Sequence, residues 1–153
     1  MTAEARLTEL GLELPTPFPP AGTYVPAVRT GSLLFLSGTG PIRADGTIIT
    51  GKVGADLDLE AAVEAARVTG LQLLAAMRQE LGSLDRVGRV VKTLGMVNCA
   101  PGFNRTPQVI DGCSNLLVDV FGERGRGARS AVGMAELPFD IAVEIEMIVE
   151  IDD

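Results

Sequence analysis

Ala128-Arg129-Ser130-Ala131-Val132-Gly133-Met134-Ala135-Glu136-Leu137-Pro138, then Val143-Glu144-Ile145-Glu146-Met147-Ile148-Val149-Glu150, reads as two strands joined by a proline-containing turn. An arginine opens the first strand. Acidic residues at 144, 146 and 150 share one face of the second, and Val143, Ile145, Met147, Val149 and Ile151 share the other, because side chains alternate with period two. Carboxylates on a covered face are costly unless they stay wet or meet a positive group. Arg129 is a candidate for that group. It can equally grip an acidic ligand through two parallel hydrogen bonds, or stand as a surface arginine at a strand edge.

Outward from this pair, the rest of the chain alternates strands and helices. Tyr24–Thr30 is strand-like. Leu33-Leu34-Phe35-Leu36 is a continuous apolar run of strand length, ending in the loop Ser37-Gly38-Thr39-Gly40-Pro41. Asp45-Gly46 reads as a turn leading into a short strand, Thr47 to Thr50. Leu59, Val63, Ala66, Gly70, Leu74, Met77 and Leu81 recur in steps of three and four, which predicts a helix over 58–81 with Asp58 at its N-cap and Gly82 at its C-cap. Arg86 to Asn98 is β-rich. Thr106 suits the N-cap and Pro107 the first turn of a second helix whose stripe is Ile110, Cys113, Leu117, Val120 and Phe121. The resulting order is β-β-(β)-α-β-α-β-β: an α+β fold, with two helices packed on one face of a mixed β-sheet. The other face needs a cover, which points to self-association. Residues 1–22, a short amphipathic segment (Leu7, Leu10, Leu12, Leu14) followed by prolines at 15, 17, 19 and 20, form an extended lead-in packed on a single domain, 23–153.

A chain of 153 residues buries roughly 68–70% of its unfolded surface and folds without disulfide or metal. The N-terminus lacks a basic start and apolar core, and Cys99 and Cys113 form no C-x-x-C pair, so the expected compartment is the cytoplasm. Cys113 lies on a helical stripe, where a core role outweighs a nucleophilic one. The chain has no histidine, which excludes histidine-based nucleophilic catalysis and the usual zinc sites. A formal charge of −7 argues against nucleic acid as a partner, and no membrane-spanning run is present.

Tyr24-Val25-Pro26-Ala27-Val28, Leu36-Ser37-Gly38 with Pro41, Arg89-Val90-Val91-Lys92-Thr93, Phe103 and the closing Ala128-Arg129-Ser130-Ala131-Val132…Leu137-Pro138…Val143-Glu144-Ile145-Glu146 together resemble the RidA/YjgF family, also called L-PSP endoribonuclease-like, of chorismate-mutase-like fold. The lead-in Leu10-Gly11-Leu12-Glu13-Leu14-Pro15 is similar to that of a longer subgroup. The resemblance implies a homotrimer with a barrel-like core of inward-facing sheets, and ligand clefts between subunits. It also implies cofactor-independent hydrolysis of reactive 2-imino and enamino acids to 2-keto acids and ammonia. By the same resemblance, Arg129 holds the substrate carboxylate and Glu144 activates water. Tyr24, Ser37, Ser130 and Ala131 line the site. Which of Glu144 and Glu146 faces the cleft is left open by periodicity. The chain departs from the family pattern at Thr39, where the turn usually has glutamine, and at Ala131, where well-known deaminases have cysteine. The stretch from Phe103 to Arg129 is longer, and Ser114 or Asn115 stands near the family's helix-borne asparagine. The competing reading is a non-catalytic trimer that binds a small carboxylate metabolite or a protein partner. Endoribonuclease activity is disfavoured by the acidic charge and the lack of histidine.

Overall fold

The apolar periods settle, in chain order, into α1 (Ala3–Glu9), β1 (Ala27–Thr30), β2 (Leu33–Thr39), α2 (Leu59–Leu81), β3 (Val87–Asn98), α3 (Thr106–Phe121), β4 (Ala128–Met134) and β5 (Val143–Ile151) in a computed structural model that describes residues 1–153. Asp58 caps α2 as the sequence predicts: its carboxylate accepts the Ala61 amide at 2.8 Å, satisfying one of the free amides at the helix start. Gly82 ends the helix at φ +82°, a left-handed conformation that glycine adopts without strain.

The sheet runs β1-β2-β5-β3-β4. β3 and β4 are parallel, joined by α3 as the crossover such a pair requires, and every other neighbouring pair is antiparallel. β5 lies at the centre. Its Val143, Ile145, Met147, Val149 and Ile151 are all buried towards the helices, against Leu74 and Met77 of α2 and Ile110 and Leu117 of α3 in one core. Each such side chain contributes about 1.5–3 kcal/mol when fully withdrawn from water. The helices cover one face only. Val28, Phe35 and Val132 stand on the other, each at least 40% exposed.

Four local expectations are corrected. β1 starts at Ala27 rather than Tyr24, since Pro26 just before it has no N–H for a ladder. Thr47–Thr50 makes only the single bridges Ile42–Ile48 and Thr50–Ile141, although the Asp45-Gly46 turn forms, with Gly46 at φ +86°. Thr106 lies inside α3; the cap position falls to Arg105, and the threonine hydroxyl donates instead to the Ala131 carbonyl at 3.0 Å. The lead-in is not extended throughout: Thr2 caps α1, which sinks Ala3 and Leu7 into the core, while Glu4 pairs with Arg78 and accepts the Leu84 amide at 2.9 Å.

Candidate functional site

Glu144 takes its position from a fault in the sheet. β2 and β5 pair regularly up to Leu36 and resume at Thr39, with a register shift between them. Bulges of this kind re-aim side chains. Here the shift brings Gly38 beneath Glu144, so that a Cβ at 38 would lie 2.7 Å from Glu144 Oε2. The carboxylate is half-buried. Burial raises its pKa, and the charge of Glu146 raises it further. Glu146 is exposed, as is Glu150, and none of the three has a cation within ion-pair distance. Of the two cleft candidates, Glu144 is therefore the desolvated one. A half-buried carboxylate whose pKa is raised is a stronger base than an exposed one, suited to take a proton from water and release it again.

Both glutamates line a cavity of about 590 Å³, together with Tyr24, Ser37, Gly38 and Thr39. The structure thus brings together Tyr24, Ser37 and Glu144 of the expected site. The Ser37 hydroxyl donates to the Val25 carbonyl at 2.6 Å, tying β2 to the segment before β1. The Tyr24 phenol oxygen accepts the Ala21 amide at 3.2 Å and remains half exposed.

Arg129, Ser130 and Ala131 do not line this cavity. Met96 of β3 pairs with Glu144 on one side and with Val132 on the other, so Glu144 and Val132 share the open face of the sheet. Arg129 is three residues from Val132 and faces the helices. Two strand spacings, roughly 9.6 Å, also separate β4 from β5. The glutamates of β5 are thus not the partners of Arg129. Its Nη1 donates to Asp111 Oδ1 at 2.7 Å and to Ser114 Oγ at 3.1 Å, and its Nη2 to the Pro107 carbonyl at 3.4 Å. Three groups on α3 hold the guanidinium at the outer edge of the sheet. Ser130 points the other way, its hydroxyl accepting from the Lys92 ammonium at 3.1 Å. β4 has β3 as its only sheet neighbour, so its far backbone edge is unpaired.

Period two correctly assigned faces but could not reveal that β3 lies between β4 and β5. Asp111 escaped the sequence reading, and Gly38 entered it only as part of a turn, not as the seat of a carboxylate. The signal for Asp111 was its spacing of three from Ser114 on a helix; for Gly38 it was a glycine beside a serine already singled out. Of Ser114 and Asn115, Ser114 is the one that touches Arg129, while Asn115 is exposed. Cys113 is wholly buried, and burial pushes its thiol up to about 12. That is a core cysteine, as its stripe implied.

Comparison with known proteins places this geometry in context. The family described as "YjgF/chorismate_mutase-like, putative endoribonuclease" matches residues 4–151. Protein TCP17 of Trypanosoma cruzi is 44% identical over 150 residues, spanning 97% of this chain and 94% of that one. Among solved structures, protein Atu1372 of Agrobacterium tumefaciens is 44% identical with a TM-score of 0.90, covering 98% of this chain and 92% of its own. A Shewanella oneidensis MR-1 protein that carries the same endoribonuclease description is 31% identical with a TM-score of 0.94, covering 98% and 99%.

Proposed function

We propose, from the premise that this chain belongs to the YjgF/chorismate-mutase-like (Rid) family, that it hydrolyses 2-imino acids to 2-keto acids and ammonia at a cleft completed by a second copy of itself. The observation that carries the reading is Glu144: a half-buried carboxylate with raised pKa, seated over Gly38 in a cavity beside Tyr24 and Ser37.

The chemistry follows from the groups present. Water attacks C2 of the imine, its proton passes to the Glu144 carboxylate, and the C=N electron pair moves to nitrogen. In the resulting carbinolamine Glu144 returns that proton to nitrogen, the C–N bond breaks and ammonia leaves. The hydroxyl gives its own proton to the Glu144 carboxylate, and from there to the departing ammonia or solvent, as its oxygen becomes the keto oxygen. One water is consumed, and no electrons are gained or lost. Arg129 takes the substrate carboxylate in a two-pronged grip. Because Arg129 and Glu144 occupy different faces and strands of one sheet, the two meet only if neighbouring copies each supply one. A closed homotrimer supplies such a pairing three times over and covers Val28, Phe35 and Val132 on the open face. RNA cleavage fits less well: a formal charge of −7 repels phosphates.

Ammonia release from 2-iminobutyrate, generated in place by a threonine dehydratase, tests the reading. Wild type should accelerate release and Arg129→Ala should not. A wild type that leaves the buffer rate unchanged over a wide range of protein concentration removes the proposal, and leaves a trimer that only binds carboxylate ligands.

A further inference from the structure

Beyond Glu144 and Tyr24 the cavity continues into a rim of apolar side chains: Phe18, Ile42, Ile48 and Phe139. Phe18 is 49% exposed and Phe139 77%, and a cluster of large apolar groups left in water marks a surface meant to be covered. Two buried polar side chains hold this rim in place, and neither takes part in the reaction proposed above. Gln72, only 3% exposed within α2, accepts the Phe18 amide on its Oε1 at 3.4 Å and donates its Nε2 to the Ile42 carbonyl at 2.8 Å. One helical side chain thus ties the proline-rich arm to the loop after β2. Asn98, fully buried at the end of β3, donates to the Asp140 carboxylate at 2.9 Å and the Ile141 carbonyl at 3.1 Å, and accepts from the Lys52 ammonium at 2.8 Å. It pins a turn in which Phe139 and Asp140 sit at φ +56° and +57°. Two consecutive non-glycine residues in the left-handed region are strained, and strain of this kind persists only where the surroundings over-determine it, commonly at ligand clamps.

We propose that this rim is a side-chain subsite, and that the protein prefers 2-imino acids bearing a large apolar or aromatic side chain over those of three or four carbons. The proposal takes the reacting end from the hydrolysis reading; the subsite itself does not depend on turnover. The cavity volume of about 590 Å³ lies within the range of roughly 300–1,000 Å³ typical of pockets that enclose drug-sized ligands. A four-carbon imino acid would leave most of it to water. The division of the lining also fits one occupant. The Glu144 and Glu146 carboxylates suit a cationic iminium nitrogen, the neighbouring copy's edge strand suits the substrate carboxylate, and the side chain is left facing the aromatic rim.

The test uses the full-length protein with 2-imino acids made in place from alanine, leucine or phenylalanine by an amino-acid oxidase, scored by loss of semicarbazide trapping. Calorimetric titration with pyruvate and phenylpyruvate runs beside it, and sedimentation velocity reports the assembly of each variant. The kcat/KM for the phenylalanine-derived imine should exceed that for the alanine-derived one by about tenfold or more, the scale on which an apolar pocket discriminates. Phe18→Ala and Phe139→Ala should each cut that ratio severalfold in an unchanged oligomer, and phenylpyruvate should bind at least tenfold tighter than pyruvate. Preferential phenylpyruvate binding without turnover of any imine would remove the hydrolysis reading and keep the subsite. Equal binding of the two keto acids, no binding of either, or variants that dissociate would overturn the subsite; dissociation would assign the rim to subunit contact.

Discussion

Gly112→Ala sets two rules of opposite sign against each other. Gly112 lies within α3, where alanine is the better helix former by about 1 kcal/mol, so propensity alone predicts a more stable protein. Packing predicts the reverse. A Cβ at 112 would sit 2.1 Å from the Val63 carbonyl oxygen, about 1 Å or more inside ordinary contact, and 3.0 Å from its carbon. The obstacle is backbone near the N-terminal end of α2, not the tip of a mobile side chain, so the two helices must separate. Overpacking of this kind costs typically about 1–3 kcal/mol and occasionally more; a rigid backbone obstacle places it at the upper end. After subtracting the propensity gain, the net loss is about 2 kcal/mol, which lowers Tm by roughly 4–8 °C for a chain of this length. Gly70→Ala is the internal comparison. Its Cβ would meet the Leu116 Cδ2 at 2.9 Å and the Cys113 Sγ at 3.2 Å, both side-chain atoms that can yield, so its loss should be smaller. Urea unfolding at fixed protein concentration measures both. A Gly112→Ala protein as stable as wild type, or more so, would refute the packing argument. Because Asp111 adjoins Gly112 and holds Arg129, the same variant should also weaken carboxylate binding.

Other substitutions test the site more locally. Glu144→Gln should abolish turnover without loss of stability at neutral pH. A carboxylate whose folded pKa is raised favours the fold only while protonated, and that contribution is lost as pH rises through the folded pKa, so the variant should gain on wild type in Tm between pH 4 and pH 7. Gly38→Ala should lower kcat with a stability change under about 1 kcal/mol, since the new methyl displaces only the Glu144 side chain; unchanged turnover would show that the seat of Glu144 is not critical. Under native conditions a thiol reagent should leave Cys113 unmodified, because it is fully buried and its thiol is held near 12; labelling before unfolding would contradict the packing of α3.

Much of the architecture was legible because it rests on local rules. Asp58 and Gly82 bracket α2 where capping chemistry demands, and the alternation from Val143 to Ile151 assigned the buried face of β5 correctly. The misreadings came from long-range effects. The Thr106 hydroxyl has two acceptable uses, capping α3 or bonding the Ala131 carbonyl, and only the docking of α3 on β4 selects the second. The apolar residues of 47–50 look like a strand, yet the sheet offers them only isolated bridges. At the site, Arg129 and Glu144 were visible as residue types, but their relation depends on β3 being inserted between β4 and β5. The bulge that seats Glu144 over Gly38 is a property of the β2–β5 pairing and leaves no local mark beyond the glycine itself.

The most direct test of a site shared between copies is subunit mixing. Arg129→Ala and Glu144→Gln chains are each prepared alone and then co-assembled in equal amounts, and ammonia release from 2-iminobutyrate is measured. Each variant alone should be inactive. If one copy supplies the arginine and its neighbour the glutamate, random assembly in a closed ring restores intact sites at about one quarter of the wild-type number. Recovery of activity near that level is the predicted result. Mixed oligomers that form but stay inactive would contradict a site that draws Arg129 and Glu144 from different chains.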